Sequence, residues 1–150
     1  MYAQNVKASE QVAILGAINP SSQAAGTATS GWISLANFQK LLAVVHTGVL
    51  GASATVDAKI QQATSAAGAG AKDVANKAIT QIVKATGDNQ QVEINLDAQD
   101  LDVEGGFGFV QLSVTVGTAA SQTAALVYGF NPRFAPASDS NAASVAEIVG

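Results

Sequence analysis

Three stretches of the chain alternate apolar and polar residues with a period of two. In Gln91 to Asp97 (QVEINLD), Val92, Ile94 and Leu96 fall on one face, and Gln91, Glu93, Asn95 and Asp97 on the other. In Thr55 to Gln61 (TVDAKIQ), Val56, Ala58 and Ile60 oppose Thr55, Asp57, Lys59 and Gln61. In Phe109 to Val116 (FVQLSVTV), Val110, Leu112, Val114 and Val116 share one face. Successive side chains of a strand point to opposite faces, so this pattern predicts strands with one buried side. Gln39 to Val49 (QKLLAVVHTGV) is apolar on both faces in its middle, which predicts a central sandwich strand. Thr123 to Phe130 (TAALVYGF) predicts another strand.

The connections extend this picture. The segment Gly117 to Gln122 (GTAASQ) is of hairpin length and predicts pairing between the strands on either side of it. Gly48 to Ala54, rich in Gly and small residues, does the same for the strands ending at Val49 and starting at Thr55. Six or seven antiparallel strands at sandwich-like spacing result. Ser65 to Ala71 (SAAGAGA) reads as a loop. Asp73 to Lys84 is compatible with a short helix, and Asn76 to Val83 within it with a strand. Ser34 to Leu42 has room for one helical turn.

The ends have another character. Residues 19–31 (NPSSQAAGTATSG) and 131–143 (NPRFAPASDSNAA) are small and polar, with Pro132 and Pro136 opposing regular structure in the second. Each borders a short apolar patch, VAILGAI (12–18) in front and VAEIV (145–149) behind. The chain is thus read as an N-terminal arm (1–31), an antiparallel β-sandwich or jelly-roll-like domain (32–130) and a C-terminal arm (131–150). An arm of about 20 residues reaches ~65 Å, so the patches can dock on a neighbouring subunit or fold back on their own sheet.

Composition narrows the function. Of 150 residues, 48% are hydrophobic but 30 of these are Ala, leaving 42 larger apolar residues for a thin core. Charged residues make up 12%, about half the usual share, which fits a surface partly covered in an assembly. No Cys is present, so thiol chemistry, disulfides and Cys-ligated zinc are excluded. Seven basic residues and a net charge of −4 do not make a nucleic-acid footprint. The apolar run 12–18 is too short to span a bilayer, and Glu10 beside Lys7 makes it a poor secretory leader. Charge is uneven: six Lys against three acids over 1–84, and Arg133 against eight acids over 85–150. Such a split suits two solvated faces, or copies meeting front to back.

Candidate chemistry is sparse. Glu93, Asp97, Asp100, Asp102 and Glu104 gather five acids in twelve residues, but without the spacing of a calcium-binding loop. Asp100, Asp102 and Glu104 alternate with Leu101 and Val103, which predicts a strand with one solvated face; a bound cation is the alternative. His46 has neither a second His nor a Cys for zinc or a catalytic partner, and is read as a structural, hydrogen-bonded His. Gly105, Gly106 and Gly108 around Phe107 lack the Lys and the following helix of a phosphate loop, and read as a turn. Trp32 suits a core plug, or the platform of a sugar site. No catalytic, cofactor-binding or metal-ligating residue is assigned, and no enzymatic activity is expected.

One resemblance goes beyond composition. VDAKIQQAT (56–64), KDVANKAITQI (72–82), VEINLDAQDLDVEGGFGFVQLSVTVGTAAS (92–121) and GFNPRFAPASDSNAASVAEIV (129–149), in this order, resemble a family of small structural virion proteins of tailed bacteriophages. The resemblance covers about two-thirds of the chain and carries no catalytic motif. It implies a head-associated protein of the virion, assembled in the bacterial host cytoplasm. Its partners would be the major capsid protein or other virion proteins, and copies of itself as a homo-oligomer, with no nucleic acid or membrane. The expected role is a capsid decoration (cement) protein, the alternative a neck or tail component. A carbohydrate-binding β-sandwich is a distant third reading, because only eight aromatic residues are present.

Overall fold

The computed structural model describes residues 4–150. Ten strands run through them: β1 (Val12–Gln23), β2 (Gly26–Thr29), β3 (Ile33–Ser34), β4 (Phe38–Thr47), β5 (Thr55–Ala63), β6 (Lys72–Ala78), β7 (Ile82–Val83), β8 (Gln91–Asp97), β9 (Phe109–Gly117) and β10 (Ser121–Pro132). Helix is confined to single turns at Ala8–Gln11 and Lys84–Gly87, with 3₁₀ turns at Ala98–Asp100 and Ala137–Ser140. None of these is long and apolar enough to cross a membrane.

The strands form two antiparallel sheets. One runs β1-β10-β4-β8 and the other β2-β9-β5-β6, with β3 and β7 as short additions to β9 and β5. The pairing is nested: β1 with β10, β2 with β9, β4 with β8, β5 with β6. A ribbon of paired strands wound round so that its pairs alternate between two sheets is a jelly roll, and the chain is an antiparallel β-sandwich of that topology. The inward faces supply the core. Val56, Ala58 and Ile60 of β5 and Val110, Leu112, Val114 and Val116 of β9 meet Leu41, Ala43 and Val45 of β4, Ile94 and Leu96 of β8 and Val127 of β10, all buried.

Nesting corrects the two expected hairpins. β9 and β10 lie in different sheets, as do β4 and β5, so the links at 118–120 and 48–54 are crossovers between sheets. They lie side by side at one end of the sandwich: the Gly48 N–H donates to the Gln122 carbonyl (2.8 Å) and the Gln122 N–H to the Val49 carbonyl (3.0 Å). Between them Leu50 is buried and closes the core.

The front of the chain is also corrected. Residues 19–31, expected as a linker, carry the end of β1 and all of β2, and VAILGAI is β1 itself, an edge strand whose Ala13 and Ile18 are buried. Main-chain pairing along β10 and β9 holds these small polar residues in place where side-chain patterning gave no cue. The C-terminal segment folds back over part of its length. Ala137 is buried beside Ala13 and Phe38, the Ile14 N–H donates to Asn141 Oδ1 (2.8 Å), and the Ala142 N–H donates to the Ile14 carbonyl (2.7 Å). In the middle, Asp73 to Val83 forms β6, an irregular link and β7 rather than a helix, and Lys84 opens the helical turn that follows. At 34–42 the turn is a single hydrogen bond from the Phe38 N–H to the Leu35 carbonyl (3.3 Å).

Candidate interaction surface

The two outward faces of the sandwich differ in chemistry. On the β2-β9-β5-β6 sheet the outward residues include Thr27, Thr115, Gln111, Asp57, Lys59 and Gln61. They bond to one another and to neighbouring side chains: Thr27 with Thr115 (2.8 Å), Gln81 to Asp57 (2.8 Å), Gln111 to Gln61 (3.0 Å), and Lys59 with Asp73 (2.8 Å). This face is built for water.

The other outward face is apolar over three strands. Cross-strand rows set Val12 beside Phe130, Ile14 beside Tyr128 and Leu42, and Ala17 beside Leu126 and Val44. Shielding one another, these residues stay half-buried, apart from Leu126 at 37% exposure. The fourth strand borders them with Gln91, Glu93, Asn95 and Asp97, directly opposite His46, Val44, Leu42 and Lys40. A contiguous apolar patch with a polar border is the usual form of a protein-binding surface. The sequence carried the signal, since 39–49 is apolar on both faces. Only the inward side of β4 is core; its other side is surface.

His46 stands exposed at the upper end of this face, where Pro20, Ser21, Ser22 and Gln122 surround it in a shallow hollow. The expected hydrogen-bonded structural His is therefore corrected to a surface residue.

The acidic segment is brought together, though not as a strand. After Asp97 the chain makes a 3₁₀ turn at Ala98–Asp100 and an irregular loop, because Leu101 drops into the core while Val103 stays outside. Asp100 accepts from the Asp97 N–H (2.8 Å) and pairs with Lys77 (2.9 Å). The backbone N–H first, and the ammonium second, hold its carboxyl below the usual carboxylate range. Asp102 pairs with Lys72 (2.6 Å) and accepts from the Gly105 N–H (2.9 Å); the lysine and then the N–H lower its pKa likewise. Lys40 pairs with Asp97 (2.6 Å), which raises the lysine pKa. Among the described residues no three acids and His converge on a metal-sized site. Buried Gln62, which sequence reading passed over, anchors the loop by accepting from the Asp102 N–H (2.8 Å).

The uneven charge along the sequence is thus largely settled inside one copy, since Lys40, Lys72 and Lys77 of the front half meet Asp97, Asp102 and Asp100 of the back half. The EGGFGF turn is a turn as expected, with Gly106 at φ 78° and the Phe107 ring 4.1 Å from the Lys72 ammonium. Trp32 is half-buried. Its indole packs on Gly68, at φ +80°, where a Cβ would stand 2.5 Å from Nε1. It covers a turn, and neither plugs the core nor offers an open stacking platform.

Fold and surface together define a jelly-roll β-sandwich with one apolar and one polar outward face. Neither a protein-family model nor a curated protein sequence matches the chain. Solved structures that it resembles include the prophage-derived protein YomS of SPBc2, at 9% identity and TM-score 0.45 over 79% of this chain and 93% of that one. Cowpea mosaic virus empty particles give 11% identity and TM-score 0.45, over 85% and 86% of the two chains. A structure described as "CBM4 structure and function" gives 16% and 0.43 over 70% of this chain, which spans 61% of that one.

Proposed function

We propose that the chain is a non-enzymatic structural protein of a bacteriophage particle, and within it a decoration (cement) protein that binds the major capsid lattice and stabilises the head. The observation that carries the reading is the asymmetry of the sandwich. Val12, Ile14, Leu42, Val44, Leu126, Tyr128 and Phe130 give one sheet an apolar outward face, while the other sheet is sealed by its own hydrogen bonds. A protein with one sticky and one wet face suits attachment to a shell, with the wet face outward. The resemblance of 56–149 to small virion proteins of tailed phages supports the same role.

Stoichiometry tests it. In purified particles, copies on the scale of the major capsid protein are expected. Enough copies for a single ring would move the protein to the neck or tail, and absence from particles would overturn the virion reading.

A further inference from the structure

A second apolar surface lies at the end of the sandwich away from the β4–β5 and β9–β10 crossovers. There Leu35, Leu101, Val103, Phe107 and Phe109 line a hollow with Arg133 at its edge. Val103 is 65% exposed, and Phe134, next to Arg133, 76% exposed. Arg133 is the only arginine of the chain. The ion pairs among the described residues all use lysines, and Asp97, which borders Arg133 on its other side, is taken by Lys40. The C-terminal segment has the complementary surplus. Ile148 and Val149 are 49% and 85% exposed, and Glu147 between Val145 and Ile148 is exposed and in no ion pair among the described residues. Within one copy this segment is tied elsewhere, by Asn141 and Ala142 to Ile14 of β1 and by the Gly150 carbonyl to the Lys7 ammonium.

We infer that residues 145–149 of one copy seat in the Arg133 hollow of a second copy, with Ile148 and Val149 against its apolar lining and Glu147 paired to Arg133. The match rests on charge and hydrophobicity together: an unpaired cation beside an apolar hollow, and an unpaired anion beside two exposed aliphatic residues. Donor and receiver are different surfaces, so the contact is head-to-tail and propagates into rings or open filaments of copies. This deepens the reading of the chain as an assembling structural protein by naming the contact between copies, and it leaves the apolar sheet face free for the shell.

Sedimentation velocity over a concentration series tests it. The wild type should self-associate reversibly. Arg133→Glu and Glu147→Arg should each weaken association by about tenfold, because an attraction becomes a repulsion. Mixed together, the two variants should associate again, since each tail then meets a site of opposite charge. Circular dichroism of each variant should match the wild type, both positions being exposed. Val149→Asp should weaken association without changing the fold. A wild type that stays monomeric at its highest soluble concentration, variants that associate as the wild type does, or a mixture no stronger than its components would overturn the contact. Particle incorporation is scored separately, so loss of the virion reading leaves this result standing on its own.

Discussion

Gly129 sits in β10 where the backbone must pass under two large side chains. A Cβ there would stand 2.7 Å from Leu15 Cδ1 and 2.7 Å from Phe38 Cδ1. Phe38 is buried, and both Leu15 and Phe38 belong to the small cluster around Ala13 and Ala137, so neither can move away cheaply. Gly129→Ala should therefore destabilise by about 1–3 kcal/mol, read as a lower urea midpoint with the slope unchanged. The aspartates set the response to acid. Lysines and backbone N–H groups lower the pKa values of Asp73, Asp88, Asp100 and Asp102, with Lys59, Lys84, the Asp97 N–H and Lys72 as the respective main causes. A carboxylate with a depressed folded pKa binds fewer protons than in the unfolded chain near pH 4, so stability is full above the unfolded value, about 3.9. It is lost as pH falls through that value towards the folded ones. Calorimetry should give a melting temperature that is level from pH 7 to about 5 and falls below about 4. Asp100→Asn should flatten that fall.

At the scale of elements, legibility followed side-chain periodicity. β5, β8 and β9 were readable because each has one buried and one wet face, and the alternation maps directly onto core and surface. β2 and the end of β1 were not, because Thr27, Ser21 and Ser22 contribute main-chain pairing with β9 and β10 and little apolar pattern. The crossovers at 48–54 and 118–120 resisted for a different reason. Their length equals that of a hairpin, and only the non-local pairing of β1 with β10 and β2 with β9 tells the two apart. The acidic loop misled because Leu101 and Val103 alternate with acids as a strand would, yet only Leu101 is buried. These corrections determine what truncation should do. Deleting 1–18 removes buried Ala13 and Ile18 and uncovers the edge of β10 from Ala125 to Phe130, so the product should be unfolded or aggregated by circular dichroism and light scattering. Deleting 137–150 would strip Ala137 from Ala13 and Phe38 and loosen that end. Deleting only 143–150 removes residues that make no core contact, and should leave stability within about 0.5 kcal/mol of the full chain.

For the whole molecule, the two outward faces make opposite demands on any partner. On the polar sheet, burial would break bonds already made, such as Thr27 to Thr115 and Gln111 to Gln61, and return little apolar area. On the apolar sheet, the rows through Val44 and Leu126 and through Leu42 and Tyr128 have no such bonds to lose. If about 600 Å² of apolar surface were covered there, roughly 15 kcal/mol would be gained at ~25 cal/mol per Å². Association itself costs an estimated 4–15 kcal/mol, so under the proposed decoration role one copy would bind modestly, and the proposed head-to-tail links between copies would turn modest binding into firm attachment. The two faces can be separated by experiment. Val44→Glu with Leu126→Glu places two charges in the centre of the apolar face, whereas Thr27→Glu with Thr115→Glu places two on the polar face. All four positions point outward, so both double variants should keep the wild-type circular dichroism spectrum. In a binding assay with particles lacking the protein, the first should lose most of its occupancy and the second should bind nearly as the wild type does. The reverse pattern would mean that the hydrogen-bonded sheet faces the shell, and that the apolar face serves another partner.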